Sequence, residues 1–349
     1  MQFISKLASG IEPYTAGEQP RERFVKLNTN ENAYPPSPLV KRAIESFDAD
    51  TLKLYPRPDS APLRAEIARA EGVLPENVFV GNGSDEVLAL SFPAFFDRDG
   101  KGVCIGKYTY SFYEVFAKLF DVSVNKIALN EDLSINLAGM YGDDCAGYLI
   151  ANPNAPTGVG IGQTKMLEFV KSVSDRLVIA DEAYMDFFGE SLAPYVNRFK
   201  NLLVVKTFSK SYSLAGIRCG YAIGDPALIS ALTRIKDCFN SYPVDSLCSA
   251  VCIAALRDRE YHRKTVEAIV EERERLCAEL KKSGLFVPES SANFLFVKIK
   301  NAGEVYRKLK ARGVLVRYWD KPFLSDFLRI TVGLREENDV LLRELNKLL

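Results

Sequence analysis

NLLVVKTFSKSYSLAGIR (Asn201–Arg218) changes character in its middle. Asn201–Val205 is a short apolar run, the pattern of a buried strand. Serines, a glycine and the cations Lys206, Lys210 and Arg218 follow at once. Such residues just past a strand end suit an anion. Lys210, between Ser209 and Ser211, is open to three readings. It holds a phosphate as a point charge, bonds covalently to an aldehyde, or sits in solvent.

Outward from this stretch, six more apolar runs repeat the pattern: NVFVG (77–81), GVCIG (102–106), VSVNKIAL (122–129), GYLIA (147–151), RLVIA (176–180) and GYAIG (220–224). Helical patterns such as SDEVLALSFPAFF and DPALISALTRIKDCF lie between most of them. The alternation predicts an α/β fold with a large, mainly parallel seven-stranded sheet between helices. Ligands of such sheets sit at the carboxyl ends of the strands. After residue 255 a long charged amphipathic segment (257–283) gives way to NFLFVKIK, AGEVYRKLKARG, VLVRYW, FLRITVG and REENDVLLRELNKLL. That mixture predicts a smaller α+β domain, with the long helix joining the two. The expected division is an N-terminal arm over 1–40, a large domain over 41–255 and a small domain over 256–349. NTNENAYPPSP, in the arm, is too rich in Asn and Pro for a helix or a central strand.

The 349 residues are 47% hydrophobic and 26% charged, which supplies ample core. Lys+Arg and Asp+Glu both number 45, so the basic footprint of a nucleic-acid binder is missing. MQFISKLASGIEPY lacks the apolar core of a signal peptide, and no run approaches the ~20 apolar residues of a membrane span. The seven cysteines are scattered and odd in number, which points to a reduced, cytoplasmic protein. Cys248 and Cys252 share a helix face and read as buried packing without further ligands nearby; no metal site is expected. The only histidine, His262, lies in a charged helical pattern and reads as a surface residue. With no second histidine, hydrolytic triads and histidine zinc sites are disfavoured. Acid–base work falls to Lys, Tyr, Asp or Glu.

Polar clusters follow the predicted strands. GNGSDE (81–86) is either a plain capped turn, with Ser84 and Asp85 as N-cap residues, or a phosphate site at a helix start. It is no dinucleotide fingerprint, because Glu86 stands where a third glycine belongs. KYTYSFYEVF (107–116) places aromatics where one of them can stack on a flat ring. NPNAPTG (152–158) is a polar turn between two prolines. In DEAYMDF (181–187), Asp181 ends an apolar run, where a carboxylate needs a cap, a pair or a ligand cation. Together with Lys210 these describe a flat, phosphorylated heteroaromatic with a basic ring nitrogen and an electrophilic carbon. Pyridoxal phosphate answers each term.

KLNTNENAYPPSP, LYPRPDS, GNGSDE, PNAPTG, ADEAY, TFSKSYSLAGIRCGY, ANFLFV and LRITVGLRE occur in one order along nearly the whole chain. The set resembles the fold-type I pyridoxal-phosphate-dependent aminotransferases, and TFSKSYSLAGIR with RITVGLRE resembles their histidinol-phosphate branch. The resemblance implies that Lys210 is the catalytic residue, bonded to the cofactor aldehyde and later moving a proton on the substrate. It implies that Asp181 pairs with the pyridinium nitrogen and that Tyr184 bonds the ring 3′-oxygen. Asn154 shares that bond, with Asn152 as the alternative, because Ala155 occupies the family's usual Asn position. Tyr110 is implied to stack on the ring. Ser84, Asp85, Ser209 and Arg218 are implied to hold the phosphate, with Tyr55 reaching it from a second subunit of a homodimer. Arg329 is implied to anchor the carboxylate of glutamate or 2-oxoglutarate and Arg335 the phosphate of histidinol phosphate, with Tyr34, Asn32 and Asn293 lining the same substrate pocket. Aromatic aminotransfer, threonine-phosphate decarboxylation, nucleotide binding and a catalytically silent binding protein are the competing readings.

Overall fold

The computed structural model describes residues 3–20, 24–96 and 100–349; Met1 and Gln2 of the opening stretch lie outside them. The seven apolar runs form one sheet. Its strands are β2 (Val78–Gly81), β3 (Val103–Gly106), β4 (Val124–Ile127), β5 (Gly147–Ala151), β6 (Leu177–Asp181), β7 (Leu202–Thr207) and β8 (Gly220–Gly224). β1 (Val25–Leu27) lies elsewhere. The order across the sheet is β2-β8-β7-β6-β5-β3-β4. β3 to β7 are parallel, and β8 runs antiparallel to both neighbours.

The runs are continuous rather than alternating because both faces are covered. Along β7, Leu202 and Val204 join the core on one face with Leu63, Phe169 and Val251. Leu203 and Val205 join the opposite core with Leu88, Phe92 and Leu232. Fully burying a side chain of this size contributes about 1.5–3 kcal/mol. β4, on one edge, is only half buried.

Two smaller sheets lie beyond. β9 (Phe294–Lys298) pairs antiparallel with β11 (Phe327–Thr331). β10 (Val314–Val316) pairs in parallel with β1, Val25 opposite Val314. The N-terminal arm therefore carries a strand that completes a distant sheet. NTNENAYPP itself is irregular, and Pro38 opens the helix Pro38–Glu45, capped by Ser37. The charged segment divides at Asp258, which separates the helix Ser246–Arg257 from the helix Arg259–Lys282 and caps the second.

Two expectations change. Cys219, just before β8, brings its sulfur to Cys248 and Cys252; the three lie within 4.8 Å of one another, so the pair does have a further thiol beside it. His262 is not a surface residue: its ring stacks on Tyr212 at 4.1 Å, and its side chain is only 21% exposed. Among the described residues, no helix is long and apolar enough to cross a membrane.

Candidate active site

The carboxyl ends of β5, β6 and β7 place NPNAPTG, DEAYMDF and the lysine segment side by side. Asp181 is the last residue of β6 and is buried. Its carboxylate accepts from the Tyr113 phenol at 2.6 Å and from the Ala183 N–H at 3.1 Å. No cation bonds it among the described residues. Burial, only partly offset by those bonds, pushes its pKa up to about 6.

Between β2 and the helix Gly83–Phe95 lies the turn expected to take an anion. Asn82, not Ser84 or Asp85, is the N-cap residue, and its side chain makes no capping bond. The first-turn N–H groups have no intrahelical acceptor and carry the positive end of the helix dipole. Arg218 arches over this turn in a left-handed backbone conformation. Gly83 has φ +79°, a left-handed conformation that favours glycine, and a Cβ there would lie 2.6 Å from Arg218 Nη2. Gly220 touches the same turn: its Cβ would meet the Ser84 nitrogen at 2.2 Å. Arg218 reaches Ser209 Oγ at 3.4 Å and Asp85 at 3.4 Å. The Asp85 carboxylate is thus engaged by Arg218 and by the Tyr110 phenol at 2.9 Å; what Asp85 offers an anion is its backbone. Burial, aided by the Asp85 charge, pushes the Tyr110 phenol well above its usual range.

Lys210 points across to the other end. Its Nζ lies 3.3 Å from the Thr29 carbonyl and 5.6 Å from the centre of the Tyr184 ring. Tyr184 Oη accepts from Asn30 Nδ2 at 2.9 Å, which leaves the phenol hydrogen to donate elsewhere. Asn154 donates to the Tyr108 carbonyl and to Thr157, and accepts from Thr109. Asn152 is closed on both amide atoms by Ile161. Both asparagines are therefore spent on shaping their loop. Ala155 is buried with Ala292, Phe294 and Tyr184.

Arg329, half-buried on β11, donates to the Asn28 carbonyl at 3.0 Å, and its Nε is enclosed without a partner. Burial lowers its pKa. Its guanidinium lies over the rings of Phe294 and Trp319. Asn293 donates to the Asn30 carbonyl, and its Oδ1 is buried without a partner. Two unpaired polar atoms, Arg329 Nε and Asn293 Oδ1, are thus available to a polar ligand. Asn32 is not free for one, because its amide donates to the carbonyls of Lys210 and Ser211. Tyr34 packs with Phe187, Ile269 and Val332. Arg335 is exposed on the first turn of the helix Arg335–Asn346. Tyr55 is 83% exposed and stacks on Tyr242. Asn30, Thr331 and Thr109 were not foreseen; Asn30, with φ 55°, ties the arm to Tyr184 and Thr331.

The chain matches the model of the family described as aminotransferase class I and II over residues 22–345. The chain belongs to that family. Among class I and II aminotransferases, it is 46% identical over 346 residues to the histidinol-phosphate aminotransferase of Chromohalobacter salexigens, covering 99% of this chain and 98% of that one. It is 44% identical over 347 residues to the enzyme of the same name from Brachyspira hyodysenteriae, covering 98% of each. In fold it is similar to the histidinol-phosphate aminotransferase of Sinorhizobium meliloti, solved in complex with pyridoxal-5′-phosphate. The TM-score is 0.89 at 23% identity, over 100% of this chain and 99% of that one. A Thermus thermophilus aspartate aminotransferase mutant gives 0.83 at 20% identity, over the whole of both chains.

Proposed function

We propose that this aminotransferase binds pyridoxal 5′-phosphate and moves an amino group between L-histidinol phosphate and 2-oxoglutarate, giving imidazole-acetol phosphate and L-glutamate in histidine biosynthesis. The near-full-length identity to enzymes of that name supports the substrate. What carries the cofactor reading is Asp181: a buried carboxylate without a cation, across from a lysine and an anion cradle. A protonated ring nitrogen supplies the missing cation, and the cradle fits a phosphate. Bound there, the cofactor supplies an electrophilic carbon and a ring that withdraws electrons.

The chain's own residues do the rest. The first turn of Gly83–Phe95, with Ser84, the Asp85 backbone, Ser209 and Arg218, grips the phosphate; Arg218 suits two of its oxygens at once. Tyr110 covers the ring face. Tyr184 donates to the 3′-oxygen, a contact that neither Asn154 nor Asn152 shares while their amides hold the loop. Asp181 keeps a proton on the ring nitrogen. Lys210 Nζ would hold the cofactor's electrophilic carbon at rest, and the freed amine would carry the proton of the substrate α-carbon across the intervening nitrogen. Arg329 anchors the carboxylate of glutamate, with Asn293 and Tyr34 beside it, and Arg335 meets the phosphate of histidinol phosphate. Asn32 fixes the lysine segment.

The unit is a homodimer in the cytoplasm, with residues 41–255 as its cofactor-binding part and 256–349 as the smaller part. Tyr55, Leu52, Leu54, Phe239 and Tyr242 are all exposed on two neighbouring segments, an apolar surface suited to a second copy. Seven unbridged cysteines fit a reducing compartment.

Reconstitution with pyridoxal phosphate gives a yellow protein that bleaches on borohydride reduction, with the label on Lys210. Histidinol phosphate with 2-oxoglutarate is turned over, and threonine phosphate releases no CO₂. Lys210→Ala lowers transamination by about 10³-fold or more. A protein that cannot be made yellow, or a variant with normal turnover, overturns the reading.

A further inference from the structure

A second set of buried polar groups lies behind the lysine segment. Lys206 Nζ, on β7, is 2.8 Å from Glu71 and 3.3 Å from Asp186, and its side chain is 9% exposed. The Tyr221 phenol donates to Glu71 at 2.7 Å. Asp186 also accepts from Ser211 Oγ, and His262 Nε2 faces it at 3.5 Å. His262 stacks on Tyr212 with an angle of 16° between the rings. Asn32 binds the carbonyls of Lys210 and Ser211, each at 3.0 Å.

Lys210, Ser211 and Tyr212 are thus each gripped by a different part of the chain: the arm, the loop after β6 and the helix Arg259–Lys282. Burial opposes charge on Asp186. The Lys206 ammonium, the nearby His262 ring and the bond from Ser211 overcome it and hold the carboxyl far below its usual range. Buried ion pairs of this kind add little stability over apolar packing. What they add is a defined direction for the backbone beside Lys210. A misplacement of ~1 Å in a reacting group costs roughly 100-fold in rate.

We propose that Asp186, Ser211 and His262 form a clamp, anchored on Lys206, that fixes the segment Lys210–Tyr212 and so aims the Lys210 amine; they are positioning residues for the aminotransfer. The inference rests on the role given to Lys210 above. Borohydride labelling of the wild-type protein is therefore done first: no label on Lys210 overturns that role, whereas a labelled Lys210 leaves the clamp to be judged on its own.

Ser211→Ala removes one bond and leaves the Lys206 ion pairs intact. His262→Phe keeps a ring on Tyr212 and removes the nitrogen facing Asp186. Both holoenzymes are measured by steady-state kinetics, by pH titration of the bound chromophore's absorbance, and by thermal unfolding. In Ser211→Ala the clamp gives a kcat about tenfold lower, a KM within about twofold, and a titration midpoint moved by about half a pH unit or more. His262→Phe shows the same pattern at about threefold in kcat. Unchanged kcat and midpoint in Ser211→Ala overturn the clamp, whether or not the melting temperature falls.

Discussion

Asp181, buried, and Asp186, with 21% of its side chain exposed, share one short stretch, DEAYMDF, yet their environments drive them apart. Asp181 ends its strand with a phenol and one N–H for company, and burial lifts its pKa to about 6. Asp186 is opposed by the same burial, but Lys206 sits 3.3 Å away and holds it ionised far below the usual range. The difference is a cation. A buried carboxylate that has its own cation is a finished structural element. One without a cation bonded to it is open to a charge from outside, which supports the proposed ligand site.

The sharpest way to break this contrast is to neutralise each member. Asp181→Asn removes the group that waits, so transamination falls by about 10²–10³-fold while the fold stands. Cofactor-free protein gives a second readout. The folded value of Asp181 lies above the ordinary ~3.9, so its contribution to stability is present below pH ~4 and is lost, by about 3 kcal/mol, as pH rises through 6. The variant lacks that share of the decline in urea unfolding at stepped pH. Glu182, lifted by burial to about 7, has the same sign and stays in both proteins. Equal slopes refute the assignment.

Asp186→Asn has the next largest effect, and of the opposite kind. Lys206 keeps Glu71 but loses one of two partners in a buried site, which costs about 3 kcal/mol of unfolding free energy, read from urea unfolding. The pH dependence reverses too. Asp186, with its depressed value, contributes stability above pH ~4 that is lost as pH falls, so the variant loses less in acid than the wild type does. A variant as stable as wild type at pH 7 removes the contrast.

All seven strands of the large sheet were legible because burial on both faces leaves continuous apolar runs that turn residues interrupt. The reversal of β8 was not, since an antiparallel strand in such a sheet has the same composition as its neighbours. The pairing of Val25–Leu27 with Val314–Val316 was hidden by chain separation. In the site, Asp181, Lys210 and the Gly83 turn stood out because each breaks an apolar run with polar chemistry. Asp186 did not, although it lies in a stretch that had been singled out. Its partners Lys206, Ser211 and His262 come from other segments, and only folding joins them. His262 was misread for a related reason. Pairs such as Lys264–Glu260 and Arg263–Glu267 give its helix a solvated look, while its inner face carries the buried Thr265 and Ile269. Asn154 shows a different limit. Its residue type suits a ring-oxygen contact, but its bonds to Tyr108, Thr109 and Thr157 decide what it is free to do.

Tyr113→Phe sharpens the contrast at its finest grain. The Tyr113 phenol is the only side chain that donates to Asp181 among the described residues, at 2.6 Å. A bond to a charged group is worth about 1.5–3 kcal/mol, and here it favours the ionised form against burial. Its removal raises the folded pKa of Asp181 further, so in cofactor-free protein the decline in stability extends to higher pH than in wild type. In the proposed cofactor complex, the ring nitrogen would supply the charge that the phenol only approximates. Activity then falls a few-fold at most, roughly the effect of one neutral hydrogen bond. A decline at the wild-type pH places the control of Asp181 outside this bond. A loss of activity as deep as that of Asp181→Asn makes the phenol, rather than the ligand cation, the partner that Asp181 requires.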